Sequence, residues 1–493
     1  MIKRTTRATL TIGVLALSVF SLAAQQAISF VNTIAVGDSL TAGFQSGVLK
    51  EEGQIHSYAS LIARQVGTYL FLPLLPDPGF GAEITLVSPG PIPVLEFGEL
   101  TLGLPQEQGG PRTFLSIVPQ NLAIPGHTAL DALTARPDLA FDSLEDVILG
   151  LPILVIPLGI PPLSQVEMAV ALQPTFTILW LGANEVLDGV FPAADASLVT
   201  PLEVFQETYT AAVGAILTMT PSRLIVANVP DVTVVPFLTP AEQVAALAGA
   251  PLELIGPLLG IGSGDFVTAF GVQFAGSILA GEAAGPLPPD MVATAEEVAS
   301  IRQLTDQMNA FIEGLGLQFG FPVVDINSRL LEFKQNGVQV GDATLTTNFL
   351  GGIFSLDGIH PTNTGQGILA NEFIAVMNDF FALRIPPVDL EKIMATDPLV
   401  LGQGSAHSPP MVMSATPAAY QGMASIFGPG KSRTAGIDPG QDPLRPNETR
   451  SLAGVERYLS QLPRFSLQPG PVSLPVNGKE LDKSDAARKY GRQ

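Results

Sequence analysis

Short apolar, β-branched runs, each followed by a stretch of helical period, constrain this chain more than any other feature of its sequence. Asn32 to Gly37 is the first run, and residues 57 to 66 follow it with Tyr58, Leu61, Ile62 and Val66 on one helical face. Phe176 to Leu181 repeats the strand pattern, and Leu202 to Met219 follows with Phe205, Tyr209, Ala212, Val213 and Ile216 aligned. Arg223 to Val229 supplies another strand, residues 291 to 315 another helix, Phe321 to Ile326 another strand, and Thr364 to Phe381 the last helix. Parallel neighbours need a long crossover, usually a helix, so this alternation predicts an α/β fold with a parallel sheet covered on both faces. Ligands in such open sheets lie at the carboxyl ends of the strands, so chemistry is expected just after the strand runs.

Pro-, Gly- and Leu-rich segments interrupt the rhythm near 68–120, 145–173 and 233–290, and read as apolar insertions at the strand ends. The most apolar stretch, 149 to 163, carries prolines that rule against a spanning helix, leaving a buried packing arm or the wall of an acyl-chain pocket. From about Ile385 the periods fade, so 385–493 is expected to be an irregular tail with one short amphipathic piece at Ser451 to Leu462. At the other end, basic Lys3, Arg4 and Arg7 precede an apolar run from Thr9 to Phe20 and the small-residue site Ser21-Leu22-Ala23. That order reads as a signal peptide over 1–24, since the run falls short of the ~20 residues that span a bilayer. The expectation is export to the periplasm, the envelope or the medium, with a domain over 25–384.

Charge narrows the partners. Residues 25 to 430 hold 38 acidic and 10 basic side chains, against 7 and 11 in 431 to 493. So acidic a body repels phosphate backbones and anionic headgroups, which excludes nucleic acid and favours a neutral or apolar substrate. With no cysteine, disulfides, thiolate metal sites and a cysteine nucleophile are excluded.

A serine occupies the end of the first strand run, in Gly37-Asp38-Ser39-Leu40. There its hydroxyl can project from the sheet edge while nearby backbone N–H groups and a helix dipole favour negative charge; the plain alternative is a turn serine capping a helix. Among four histidines, His360 stands in Asp357-Gly358-Ile359-His360-Pro361, a carboxylate three residues before the ring. Asp357 can accept the Nδ1 proton and leave Nε2 facing Ser39, the division of labour that a serine triad needs. His127 follows Gly126, His56 is expected to open a helix, and His407 sits in the tail. No second histidine or acidic cluster beside His360 supports a metal. Donors for an oxyanion are available in the Ser39 N–H, the Gly126 N–H and the Asn184 side chain, the last two each following an apolar run. A Gly-x-Ser-x-Gly elbow is missing: Ser263 comes nearest, with Ile261 at the first glycine position.

Taken in order, these blocks resemble the SGNH, or GDSL, hydrolase family over roughly residues 30 to 383. Ser39 matches its first block, Gly126 its second, Asn184 its third, and Asp357 with His360 its last; the third block usually ends in Asp where Glu185 stands here. The resemblance implies a three-layer α/β/α sandwich with a flavodoxin-like parallel sheet, and ester hydrolysis through an acyl-serine with no cofactor and no metal. The apolar insertions and the acidic body favour a small-molecule or lipid-like ester as the substrate, and the insertions suggest transient contact with a lipid surface. Acyl transfer, or deacetylation of a carbohydrate, would use the same site. A secreted binding or adhesion protein on the same fold is the reading from another class.

Overall fold

The computed structural model describes residues 28–88, 93–102, 112–138, 143–151, 161–400 and 411–413. The expected signal peptide, the Ser451 to Leu462 piece, His407 and most of 149 to 163 lie outside them. The central sheet is parallel and made of β1 (Thr33–Gly37), β2 (Phe176–Trp180), β3 (Arg223–Ala227) and β4 (Val323–Val324), paired in that order. Residues 120–124 extend it beyond β1: the Ala35 N–H donates to the Gln120 carbonyl at 2.8 Å, and the Leu122 N–H returns to Ala35 at 2.9 Å. The sequence order across the sheet is therefore second, first, third, fourth, fifth, the doubly wound order whose switch point falls between β1 and β2.

Side chains alternate across these strands with the period of two that a pleat imposes. Ala35, Phe176, Ile178, Trp180, Ile225 and Ala227 face a layer made by α1 (Tyr58–Gln65) and α4 (Asn363–Phe381). Ile34, Val36, Leu179, Leu224 and Val226 face the other layer, which includes α2 (Leu202–Met219) and α3 (Ala295–Phe319). Both faces are apolar because both are covered, which is why the strands read as continuous hydrophobic runs. Tyr58, Phe373 and Trp180 pack together in the first layer, the first two stacked at 4.7 Å between ring centroids.

Three expectations change. His56 closes the helix Glu51–His56 instead of opening one, because Ser57 is extended and its side chain caps α1. The stretch 145–173 is only partly an insertion: Gln165–Ala171 is a helix packed on β1 and α2, in the second layer. The tail is not irregular at its start. Residues Leu390–Met394 form a helix against α4, the Asp397 carboxylate accepts the Thr364 N–H in the first turn of α4 at 2.7 Å, and Met411 and Met413 are fully buried. Periodicity misses such a segment because it is anchored by isolated side chains. The 233–290 segment, together with the strand just after it, forms a unit with its own apolar cluster, built on a three-stranded antiparallel sheet of Leu238–Pro240, Phe266–Thr268 and Val292–Ala293. Among the described residues no helix is long and apolar enough to cross a membrane.

Candidate active site

β1 and β2 run side by side to the switch point, with Gly37 opposite Trp180 in register. Their continuations therefore emerge together. Gly37 is needed for space: a Cβ there would lie 2.2 Å from Thr41 Oγ1 and 2.8 Å from the Trp180 carbonyl oxygen. After it the chain enters a short helix, Ser39–Ala42, capped by Asp38, whose Oδ1 accepts the Leu40 N–H at 2.9 Å. Because Asp38 serves as the cap, the Ser39 hydroxyl is free for other work. It donates to His360 Nε2 at 2.8 Å.

His360 is oriented from behind. Its Nδ1–H donates to Asp357 Oδ2 at 2.9 Å, and Phe44 packs on the ring at 4.9 Å between centroids. Asp357 Oδ1 accepts the His360 and Ile359 N–H groups at 2.8 and 2.9 Å and the Ser355 hydroxyl at 3.1 Å, while Oδ2 also accepts the Gly47 N–H at 3.1 Å. Burial pushes the Asp357 carboxyl up, but the facing His360 ring and these bonds outweigh it and hold the group below the usual carboxylate range. Ionised Asp357 fixes the tautomer that leaves Nε2 as acceptor toward Ser39. The loop is closed by Gly358, at φ +69° with Met411 against its backbone, so a side chain fits neither the conformation nor the space.

The donors expected for an oxyanion come together less directly. Asn184 is the second residue of the helix Ala183–Leu187 after β2, not its cap, and its Nδ2 donates one proton to the His127 carbonyl at 2.9 Å. The other Nδ2 proton remains. Ser39 and Asn184 line one cavity; Gly126 stands one residue before His127, at φ +83°, where the edge segment turns away after the Ile124 N–H bonds the Gly37 carbonyl at 3.1 Å. Among the described residues the Ser39 and Gly126 N–H groups donate to nothing. His127 itself does not reach the cavity: its ring is buried against Glu145 at 3.0 Å.

Two other acids lie buried nearby. Asp38 is pushed up to about 7 by burial, only partly offset by its bond from Leu40. Glu185 is pushed up to about 8 for the same reason, with one bond from the Ala129 N–H at 2.6 Å. The cavity beside Ser39 and His360 encloses about 750 Å³, part of it open to solvent, and is walled mainly by apolar side chains, among them Leu187, Val235, Leu330, Phe333, Phe354 and Leu369. Sequence reasoning did not single out Phe44, Gly47, Gln165 or Glu145, which act here on partners well separated in sequence and leave no local pattern, or Ser355, two residues before Asp357.

A serine, an imidazole and a carboxylate hydrogen-bonded in line at the switch point of a doubly wound sheet define the class: a hydrolase on an α/β sandwich. The family model described as GDSL-like Lipase/Acylhydrolase matches residues 34–373, and the chain belongs to that family. It is accordingly an ester hydrolase in the general sense. No curated protein matches the chain. The solved structure of LAE5, an alpha/beta hydrolase enzyme from the metagenome of Lake Arreo, Spain, is 12% identical over 70% of this chain and 94% of its own. The TM-score between the two is 0.29.

Proposed function

We propose that this chain hydrolyses carboxylic esters with apolar acyl groups through an acyl-serine at Ser39. What carries the reading is the Ser39–His360–Asp357 line opening into an apolar cavity. His360 takes the Ser39 proton as Oγ attacks the ester carbonyl carbon, and Asp357 stabilises the imidazolium that forms. The tetrahedral oxyanion is received by the Ser39 N–H, the Gly126 N–H and Asn184 Nδ2. As the carbon–oxygen bond breaks, His360 gives its proton to the leaving alcohol; water then enters, is deprotonated by the same ring and releases the acid. No cofactor or metal takes part. The apolar walls supply a place for an alkyl chain, each buried methylene being worth about 0.8 kcal/mol. The basic n-region and apolar run of the first 23 residues support export, and the acidic body supports a neutral lipid-like ester over an anionic one.

A p-nitrophenyl ester series from acetate to palmitate, with Ser39→Ala alongside, tests this. Expected is activity favouring chains beyond acetate and lost by on the order of 10³-fold or more in the mutant. Activity indifferent to Ser39 removes the mechanism, and an acetate optimum removes the acyl-pocket assignment. Product analysis with added alcohols separates hydrolysis from transfer.

A further inference from the structure

Behind the loop that carries Gly126, a second buried line of side chains repeats the logic of the first without reaching the cavity. Continuing the register from Ala35 would send the Gly37 N–H to the Leu122 carbonyl. It goes instead to Gln165 Oε1 at 2.8 Å, so a side chain takes the place of one ladder bond to the edge segment, just before the bond from the Ile124 N–H to the Gly37 carbonyl. That bond decides the rest of the line. Gly37 can only donate, so the Gln165 oxygen faces it and the amide NH₂ faces His127 Nδ1, 3.4 Å away. Nδ1 must therefore be the acceptor, and Nε2–H donates to Glu145 Oε1 at 3.0 Å. Gln165, His127 and Glu145 are all buried to within 2%. On the other side of the loop the His127 carbonyl receives Asn184 Nδ2, and Glu185 receives the Ala129 N–H.

We propose that Glu145, His127 and Gln165 are positioning residues. They fix the separation between the Ser39 turn and the Gly126 loop, and through the His127 carbonyl they aim Asn184. None touches the substrate. Their effect is confined to the oxyanion, whose bonds strengthen only as charge develops, so they act on kcat and not on ground-state binding. The inference rests on the catalytic reading of Ser39 given above.

The test uses the purified chain and a p-nitrophenyl butyrate assay, with active sites counted by fluorophosphonate labelling taken to completion. Gln165→Leu removes the acceptor for Gly37 and the donor for His127. It is expected to lower kcat per site by about tenfold, less than the ~10²- to 10³-fold for deleting an oxyanion donor, with KM unchanged within twofold. His127→Asn keeps an acceptor facing Gln165 and should fall between Gln165→Leu and wild type; Glu145→Gln keeps the acceptor for Nε2–H and should stay near wild type. Wild-type kcat per site in Gln165→Leu, with only a lower Tm, makes the line merely structural and overturns the proposal, as does a change in KM matching that in kcat. If Gln165→Leu does not fold, His127→Asn decides by the same criteria. Wild-type activity that survives Ser39→Ala overturns the catalytic reading and this proposal with it, whereas Ser39-dependent activity with an unaffected Gln165→Leu overturns this proposal alone.

Discussion

Asp357 and Glu185 are both fully buried, both belong to the region around Ser39, and they are pushed in opposite directions. Asp357 receives five hydrogen bonds, from His360 Nδ1, the N–H groups of His360, Ile359 and Gly47, and the Ser355 hydroxyl, and lies below the usual range. Glu185 receives one, from Ala129, its Oε2 has no partner, and it is pushed up to about 8. The difference teaches that burial alone does not decide whether an acid is charged; the charges facing it, His360 for Asp357 and the acids Asp38 and Asp131 for Glu185, and the donors aimed at it do. The loop 355–360 holds its acid in the charged form, and the corner formed by 126–129 and 183–185 favours a neutral acid beside Asn184, one of the donors proposed for the oxyanion. On the proposed mechanism a second full charge there would oppose the oxyanion, which a protonated Glu185 avoids.

The largest effect should come from removing the charge on the first side. Asp357→Asn keeps the shape but can hold the ring in the wrong tautomer, and kcat is expected to fall on the order of 10³- to 10⁴-fold; steady-state kinetics check this, and a loss under tenfold would erase the distinction between the two regions. Next comes Asn184→Ala, with kcat lower by about 10²- to 10³-fold and KM little changed. Leu330→Trp, which fills part of the apolar cavity from the helix Ile326–Asn336, should cost decanoate at least tenfold in kcat/KM while sparing acetate. The smallest effect is on stability. Because the Glu185 pKa is raised in the folded state, its contribution is present below its ordinary 4.5 and is lost as pH rises to about 8. Asp38 acts in the same sense from 3.8 to about 7, whereas Asp357, being lowered, loses its contribution as pH falls below the usual carboxylate range. Glu185→Gln should therefore flatten the decline in Tm between pH 4.5 and 8; an unaltered slope would assign that decline elsewhere.

Much of this was legible in the sequence because it is local. Strands buried on both faces announce themselves as apolar runs, and the helix Leu202–Met219 is legible from its sequence because one helical face is apolar along its length. Ser39, Asn184 and the Asp357–His360 pair were legible because each follows or joins an element in a short motif. What lay hidden depends on contacts between distant segments. Gln165 enters β1 from 128 residues away, and Gly47 reaches Asp357 across 310. The packing of 385–400 was hidden because single residues such as Asn371, which bonds both backbone groups of Val388, hold it in place of a periodic face.

The proposed mechanism requires a covalent intermediate at Ser39, and rapid-quench mass spectrometry of the chain mixed with p-nitrophenyl butyrate tests it most directly. A transient butyryl adduct on the peptide carrying Ser39, formed at the rate of the p-nitrophenol burst and lacking in Ser39→Ala, is the predicted result. Turnover without any adduct, or an adduct on another residue that forms and decays at the rate of turnover, would contradict it.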